Sequence, residues 1–146
     1  MDDTKLTMAL IENLLSLVRT SLQKQFGQFV RGESYILNNL LKRSDAALPS
    51  ELSADMGIST ARVAVILNNL ENKEYITREM DSSDRRKILV RLTEKGKMRI
   101  VDEHKQLFEN TRFVIREIGE EDAHELIRIL QKIVTVSPTK DVPCVD

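Results

Sequence analysis

Tryptophan is absent from this chain, cysteine occurs once, and only 4% of the residues are aromatic. A lone cysteine, Cys144, cannot close an internal disulfide, which agrees with a reducing compartment. With so few rings, the core has to be built from Leu, Ile and Val. No uninterrupted apolar run is long enough to span a bilayer. The opening Met1-Asp2-Asp3 is acidic, whereas a secretory leader starts basic and then turns apolar. The expected location is therefore the cytoplasm, with no membrane partner.

Catalytic equipment is missing too. There is no glycine-rich phosphate loop and no nucleophile elbow, so an enzyme is not expected. The two histidines, His104 and His124, stand apart on predicted helices without neighbouring metal ligands. Each reads as a helix-surface residue, a zinc site assembled between helices being the alternative. No metal and no cofactor is predicted.

Neither sign of charge dominates the 146 residues, whose net charge is −1. The distribution is more telling. From Arg85 to Arg99 there are seven bases and one acid, a local charge of +6. From Glu117 to Glu125 there are five acids and no Lys or Arg. Such polarity suits a polyanionic partner, although two solvated faces would look the same.

Hydrophobic periodicity predicts mostly helix. Asp3 or Thr4 starts a helix running to about Gln25, with two adjacent apolar stripes, Leu10, Leu14, Leu17 and Ile11, Leu15, Val18, Leu22. A second helix is expected from about Glu33 to Lys42, with Tyr35, Ile36, Leu40 and Leu41 inward. Pro49-Ser50 opens a short third helix, Ser50 serving as a cap, that stops at Gly57. Ser59 then caps a fourth, Thr60 to Asn72, with Val63, Ile66, Leu67 and Leu70 on one face. The period changes at Tyr75–Met80 and Lys87–Leu92, which read as two strands around the polar turn Asp81–Arg86. Thr93 caps a long helix from Glu94 to about Arg116. Gly119 breaks the chain, a last helix starts near Glu120, and the tail from Ser137 is expected to be loose.

Residues Ser50 to Leu70 form the pattern of a helix-turn-helix. Leu52 and Met56 on its first helix can pack on Val63 and Ile66 of the second, and Gly57 sits where the chain turns sharply. Ser53 faces the second helix where the usual pattern has Ala, so its hydroxyl needs a partner. The outward face of the second helix is unusual for a solvated one. It presents Ala61, Val65, Asn68 and Asn72, with Arg62 and Asn69 on one flank and Ala64 on the other. Small residues let a backbone approach the floor of the major groove. Ala and Val can meet thymine methyl groups, Asn can pair with adenine, and Arg with guanine. The alternative is that this face packs against protein.

The order helix, helix, strand, charged turn, strand is the winged variant of this motif. The turn reads Asp81-Ser82-Ser83-Asp84-Arg85-Arg86, followed by Leu89-Val90-Arg91-Leu92-Thr93-Glu94-Lys95-Gly96. With Leu70-Glu71-Asn72-Lys73 before it, the chain resembles the MarR family of bacterial regulators, the multiple-antibiotic-resistance type, over about residues 5–136. It departs from the pattern at Glu74, where family members have Gly. The resemblance implies that Asp84 orients Arg86, which enters the minor groove; Arg85 and Lys87, pointing to the other side of the turn or strand, are expected to meet phosphates. The resemblance also implies a small phenolic or amphipathic ligand. Redox-sensing relatives carry their reactive Cys near the N-terminus, where this chain has none.

The expected fold class is mainly α with a small β-hairpin wing, a winged helix-turn-helix flanked by N- and C-terminal dimerisation helices. The expected organisation is a dimerisation helix within 1–32 and a DNA-binding lobe over 33–93, with recognition helix 60–72 and wing 76–92. Dimerisation helices follow over 94–136, then a flexible tail, 137–146. The expected DNA-contacting residues are Ser59, Thr60, Ala61, Arg62, Ala64, Val65, Asn68, Asn69, Arg78, Ser83, Asp84, Arg85, Arg86 and Lys87. The expected activity is that of a sequence-specific, double-stranded-DNA-binding repressor, released by a ligand and acting on a pseudo-palindromic operator as a homodimer. A helical scaffold that uses the same surface for protein, and a small hydrolase, are the competing readings.

Overall fold

Residues 3–137 are described by the structure, a computed structural model. Cys144, and the expected tail beyond Ser137, lie outside the described residues. The chain divides into two units, with the boundary between Leu107 and Phe108. Among the described residues there are seven helices and one two-stranded antiparallel hairpin. The fold is thus the mainly helical, winged one expected. No helix of the described residues is long and apolar enough to cross a membrane.

The first helix expected over 3–25 is two helices, α1 (Asp3–Val18) and α2 (Ser21–Phe29). The cause is Thr20. Its backbone is extended, and its hydroxyl accepts from the Gln23 N–H at 3.3 Å while donating to the Leu17 carbonyl at 2.7 Å. One side chain therefore closes one helix and caps the next. A periodicity reading cannot see this, because the apolar stripes continue across the break.

Helix α3 (Gly32–Lys42) buries Ile36, Leu37 and Leu40. Helix α4 (Pro49–Met56) starts with Pro in its first turn, as expected, but Ser50 is not the cap. The Glu51 carboxylate instead accepts the Leu48 N–H at 2.9 Å. Gly57 ends α4 at φ +63°, a conformation in which a Cβ is strained. Ser59 caps α5 (Thr60–Asn72) by accepting from the Arg62 N–H at 3.2 Å. Strands β1 (Ile76–Met80) and β2 (Ile88–Leu92) pair from Ile76↔Leu92 to Met80↔Ile88. Ala47 adds a further bridge to Val90, with bonds of 3.0 and 2.8 Å, and so ties the α3–α4 connection to the wing. Helices α6 (Glu94–Ile118) and α7 (Glu120–Val136) complete the order.

The core belongs to the first unit. Ile36, Leu37, Leu52, Val63, Leu67, Leu70, Ile76, Val90 and Ile100 are withdrawn from water there, and among the described residues no polar or charged one is buried with them. Each such side chain contributes roughly 1.5–3 kcal/mol of burial. Three elements meet at the start of α6. The Thr93 hydroxyl accepts from Gly96 N–H at 3.0 Å and donates to the Glu74 carbonyl at 2.7 Å. A Cβ at Gly96 would lie 2.1 Å from the Tyr75 carbonyl oxygen, so only glycine permits this approach.

Candidate nucleic-acid interface

Helix α5 is fixed from below and free above. Val63, Leu67 and Leu70 are buried, while Ile66 packs half-buried on the same core. Ala61, Arg62, Ala64, Val65, Asn68 and Asn69 are exposed, as are Ser59 and Thr60 at its start. This is the partition that helical spacing predicts. Val65 is 58% exposed, a large apolar side chain left in water on a face without Glu or Lys. The Ser53 hydroxyl finds the partner it needs by donating to the Ile58 carbonyl at 2.6 Å, across the turn between α4 and α5.

The α3–α4 side is clamped by a residue that periodicity does not single out. Arg43 donates to Asn39 at 2.8 Å, to Glu51 at 2.9 Å and to Asp55 at 3.1 Å. Its planar fork thus ties both ends of α4 to α3. The Leu48 N–H, with Arg43 adding to it, holds the Glu51 carboxyl below the usual carboxylate range.

At the tip of the hairpin the turn is organised by two aspartates. Asp81 accepts from the Ser83 N–H at 2.9 Å and its hydroxyl at 2.8 Å. Asp84 accepts from the Arg86 N–H and from its Nε, each at 3.1 Å, with the second guanidinium nitrogen at 3.5 Å from the other oxygen. Arg86 remains 92% exposed. It is therefore both held and presented: the pair fixes the guanidinium while leaving most of it open to a partner. The Arg86 guanidinium, and then its backbone N–H, keep the Asp84 carboxyl below its ordinary value. Arg85 and Lys87 flank the pair and are exposed.

Arg78 has another occupation. Its Nε and a terminal nitrogen both donate to one oxygen of Glu71, near the end of α5. The pair braces the wing against α5, and the Arg78 hydrogen bond lowers the Glu71 carboxyl. Glu74, at the place where the family pattern has Gly, adopts φ +62°. Its chain direction is nevertheless closed by Tyr75 N–H bonding to the Leu70 carbonyl at 2.9 Å, and its carboxylate pairs with Lys95 at 2.9 Å.

His104 is not the surface residue expected. It is half-buried, with Nε2 3.0 Å from the Asn38 side-chain oxygen and its ring 4.8 Å from that of Phe29. His124 is exposed. Among the described residues, no group of three or more His, Cys, Asp or Glu is placed to hold a metal ion.

The family model of the SarA/Rot transcriptional regulators matches residues 21–103. Over 98 residues the chain is 28% identical to YcgE, an HTH-type transcriptional regulator of Bacillus subtilis strain 168 whose role is uncharacterized. That match takes in 67% of this chain and 64% of YcgE, so the chain spans less than two thirds of this curated relative. Among solved structures, YusO from Bacillus subtilis superposes with a TM-score of 0.76 at 18% identity, covering 94% of this chain and all of that one. FabT of Streptococcus pneumoniae, solved in complex with DNA, gives 0.70 at 21% identity over 88% of this chain and 95% of its own. At such identities these likenesses establish the fold alone. Together with the matched family, whose members are transcription regulators and not enzymes, they account for the observed lobe. The chain belongs to the SarA/Rot transcriptional regulators, a MarR-type winged helix-turn-helix family.

Proposed function

We propose that the protein binds duplex DNA in the cytoplasm as a homodimer and represses transcription until a small phenolic or amphipathic ligand releases it. The observation that carries the reading is the pairing of two surfaces on one lobe: the amide- and methyl-rich face of α5, and the exposed Arg86 held by Asp84. In this reading α5 lies in the major groove. Arg62 reads a base edge, Asn68 and Asn69 take adenine or phosphate, and Ala61, Ala64 and Val65 meet thymine methyl groups. Ser59 and Thr60 contact phosphate or base edges. Arg86 enters the minor groove, sensing its width, and Ser83, Arg85 and Lys87 contact the backbone. Arg78 acts from behind, by bracing the wing.

The dimer reading rests on uncovered apolar surface. Leu10, Leu14 and Leu17 on α1, and Leu126, Leu130 and Ile133 on α7, are each about half exposed. Two copies interlocked through segments 1–32 and 94–136 would cover them, with an interface above ~2,000 Å². The lobe over 33–93 would then be presented twice, to half-sites about one helical turn, ~10 bp, apart.

The test is selection of duplexes from a random pool, followed by footprinting and titration against salt. The expected result is a two-fold symmetric motif whose affinity falls steeply as salt rises. Arg62→Ala should cost roughly 1–3 kcal/mol and relax preference at one position of each half-site. Binding without sequence preference, or insensitive to salt, would overturn the reading and favour a protein partner for this surface.

A further inference from the structure

One face of the wing is apolar along its length except for Arg78. Alternation puts Ile76, Arg78 and Met80 of β1 on the same side as Leu92, Val90 and Ile88 of β2. Near the base Ile76 and Val90 are buried, and Leu92 packs on the same core. Midway, Arg78 reaches from this face to Glu71 near the end of α5. At the far end the apolar pattern continues without cover. Met80 and Ile88 are partners in the register, yet Met80 is 66% and Ile88 37% exposed.

The surroundings of this pair define what it can meet. The Arg78–Glu71 contact shows that this face of the wing is turned toward α5. The turn beyond the pair is closed by its own hydrogen bonds, Asp81 N–H to the Lys87 carbonyl at 3.0 Å and Lys87 N–H to the Asp84 carbonyl at 2.9 Å. The exposed cations Arg85, Arg86 and Lys87 stand in that turn, Lys87 directly before Ile88. An apolar pair beside a run of cations complements a surface that alternates negative groups with hydrocarbon. A sugar-phosphate backbone is such a surface, since each phosphate is followed by the C–H groups of a deoxyribose. In the proposed reading α5 occupies the major groove and Arg86 the neighbouring minor groove. One strand of the duplex separates those grooves, and the wing face turned toward α5 faces that strand.

We infer that Met80 and Ile88 form an apolar ledge that packs on the deoxyriboses of the strand between the two grooves. The ledge rests on the proposed DNA reading and extends it. Every nucleotide carries the same sugar, so the pair adds affinity without sequence preference. It carries no charge, so it releases no counterions. Its contribution is the burial of apolar surface. The wing then holds the duplex in two ways, Arg86 through charge and the ledge through a contact that salt does not screen.

The experiment titrates the full chain with a selected duplex and with random duplex over a range of salt, with calorimetry at several temperatures. The variants are Met80→Gln, which keeps side-chain length, and Ile88→Thr, which keeps β-branching. Met98→Gln is the control, since Met98 is 73% exposed but lies on α6, outside the wing. Met80→Gln and Ile88→Thr should each weaken both duplexes roughly tenfold at an unchanged melting temperature. The slope of affinity against salt should stay that of the unaltered chain, and the heat-capacity change of binding should become less negative. Met98→Gln should change none of these. Arg86→Ala should instead reduce the salt slope, by about one per wing. The inference is overturned by unchanged duplex affinity, which would leave the pair to a protein partner. A loss confined to the selected duplex overturns it as well, because the pair then reads bases. So does a reduced salt slope, because the pair then acts only by placing the cations. Dissociation of the assembly by either variant, seen in sedimentation, also overturns it, since a second copy then covers the pair. An unaltered chain that binds no duplex overturns the regulator reading and this inference with it, whereas duplex binding indifferent to both variants overturns this inference alone.

Discussion

Two parts of this chain are rich in aliphatic side chains and meet opposite fates, the richer part being the more exposed. Between Ile36 and Ile100 most large apolar residues close on one another into a dry core, with Val65, Met80, Ile88 and Met98 left exposed. The sixteen residues of α1 bury none, and α7 buries only Ala123. Composition does not decide burial; facing partners do. In the lobe, three helices and the wing bring apolar stripes together from several directions, whereas α1 spreads its leucines over a wider arc than one neighbour can cover. An isolated helix of that kind is marginal in water, because most helical stability in proteins comes from packing. The lobe therefore buries its own apolar surface, whereas α1 and α7 leave most of theirs exposed.

The sharpest way to break this contrast is to compare a core truncation with a surface charge. Leu67→Ala empties a fully buried site and should lower stability by about 2–5 kcal/mol at every protein concentration, measured by denaturant unfolding. Leu130→Asp touches a half-exposed position. It should leave the helical circular dichroism of the lobe intact but raise the dimer dissociation constant at least a hundredfold, about 2.8 kcal/mol. Sedimentation showing unchanged assembly in Leu130→Asp would place α7 outside any interface.

Within the lobe, the wing separates an orienting acid from a merely repelling one. Removing an acid from a DNA-facing surface normally strengthens binding. Asp84→Ala should instead weaken the selected duplex roughly tenfold, because Arg86 loses the hydrogen bonds that hold its guanidinium in place. Arg86→Ala should weaken it at least as much. Tighter binding by Asp84→Ala, with an unchanged fold, would show that the pair plays no part in presenting Arg86.

Smaller effects sharpen the account of local structure. Glu74 sits at φ +62°, where a side chain costs about 1–2 kcal/mol and glycine costs little. Glu74→Gly loses an exposed ion pair with Lys95 and adds unfolded-state freedom. The balance should be a gain of about 0.5–1 kcal/mol, read as a higher melting temperature; a lower one would mean that the Lys95 pair outweighs the strain. Smallest of all is a pH effect at Glu51. Its carboxyl is lowered, so its contribution is present above the ordinary carboxylate range and is lost as pH falls through its lowered value. Since the side chain is 46% exposed, Glu51→Gln should remove only a few tenths of a kcal/mol of acid sensitivity.

Much of the lobe was legible before any coordinates. The inward and outward faces of α5, the caps at Ser59 and Thr93, the turn at Gly57 and the hairpin around Asp81–Arg86 are all as expected. These depend on interactions within a few residues, for which residue order carries the information. The break at Thr20 was missed although it is equally local, because a capping hydroxyl interrupts a helix without interrupting its apolar period. Ser50 was expected as the cap because Ser is a favoured capping residue, whereas the helix starts one residue earlier, at Pro49, and Glu51 reaches back to the Leu48 N–H.

By itself, then, the amino-acid order determined which segments coil, which face of α5 turns to solvent, and that an Asp and an Arg share the wing tip. Only the tertiary structure decided where the long-range polar groups are engaged. Arg78 and Arg62 are the same residue type, both expected at the interface, yet Arg78 is bound to Glu71 while the Arg62 guanidinium has no partner among the described residues. Arg43 joins α3 to both ends of α4, and Ala47 joins the same connection to the wing. His104 is drawn from a predicted surface to Asn38 and Phe29. The reason is physical. Backbone periodicity repeats every few residues and is written along the chain, whereas an ion pair or a bridge depends on which distant segments the core brings within about 3 Å of each other.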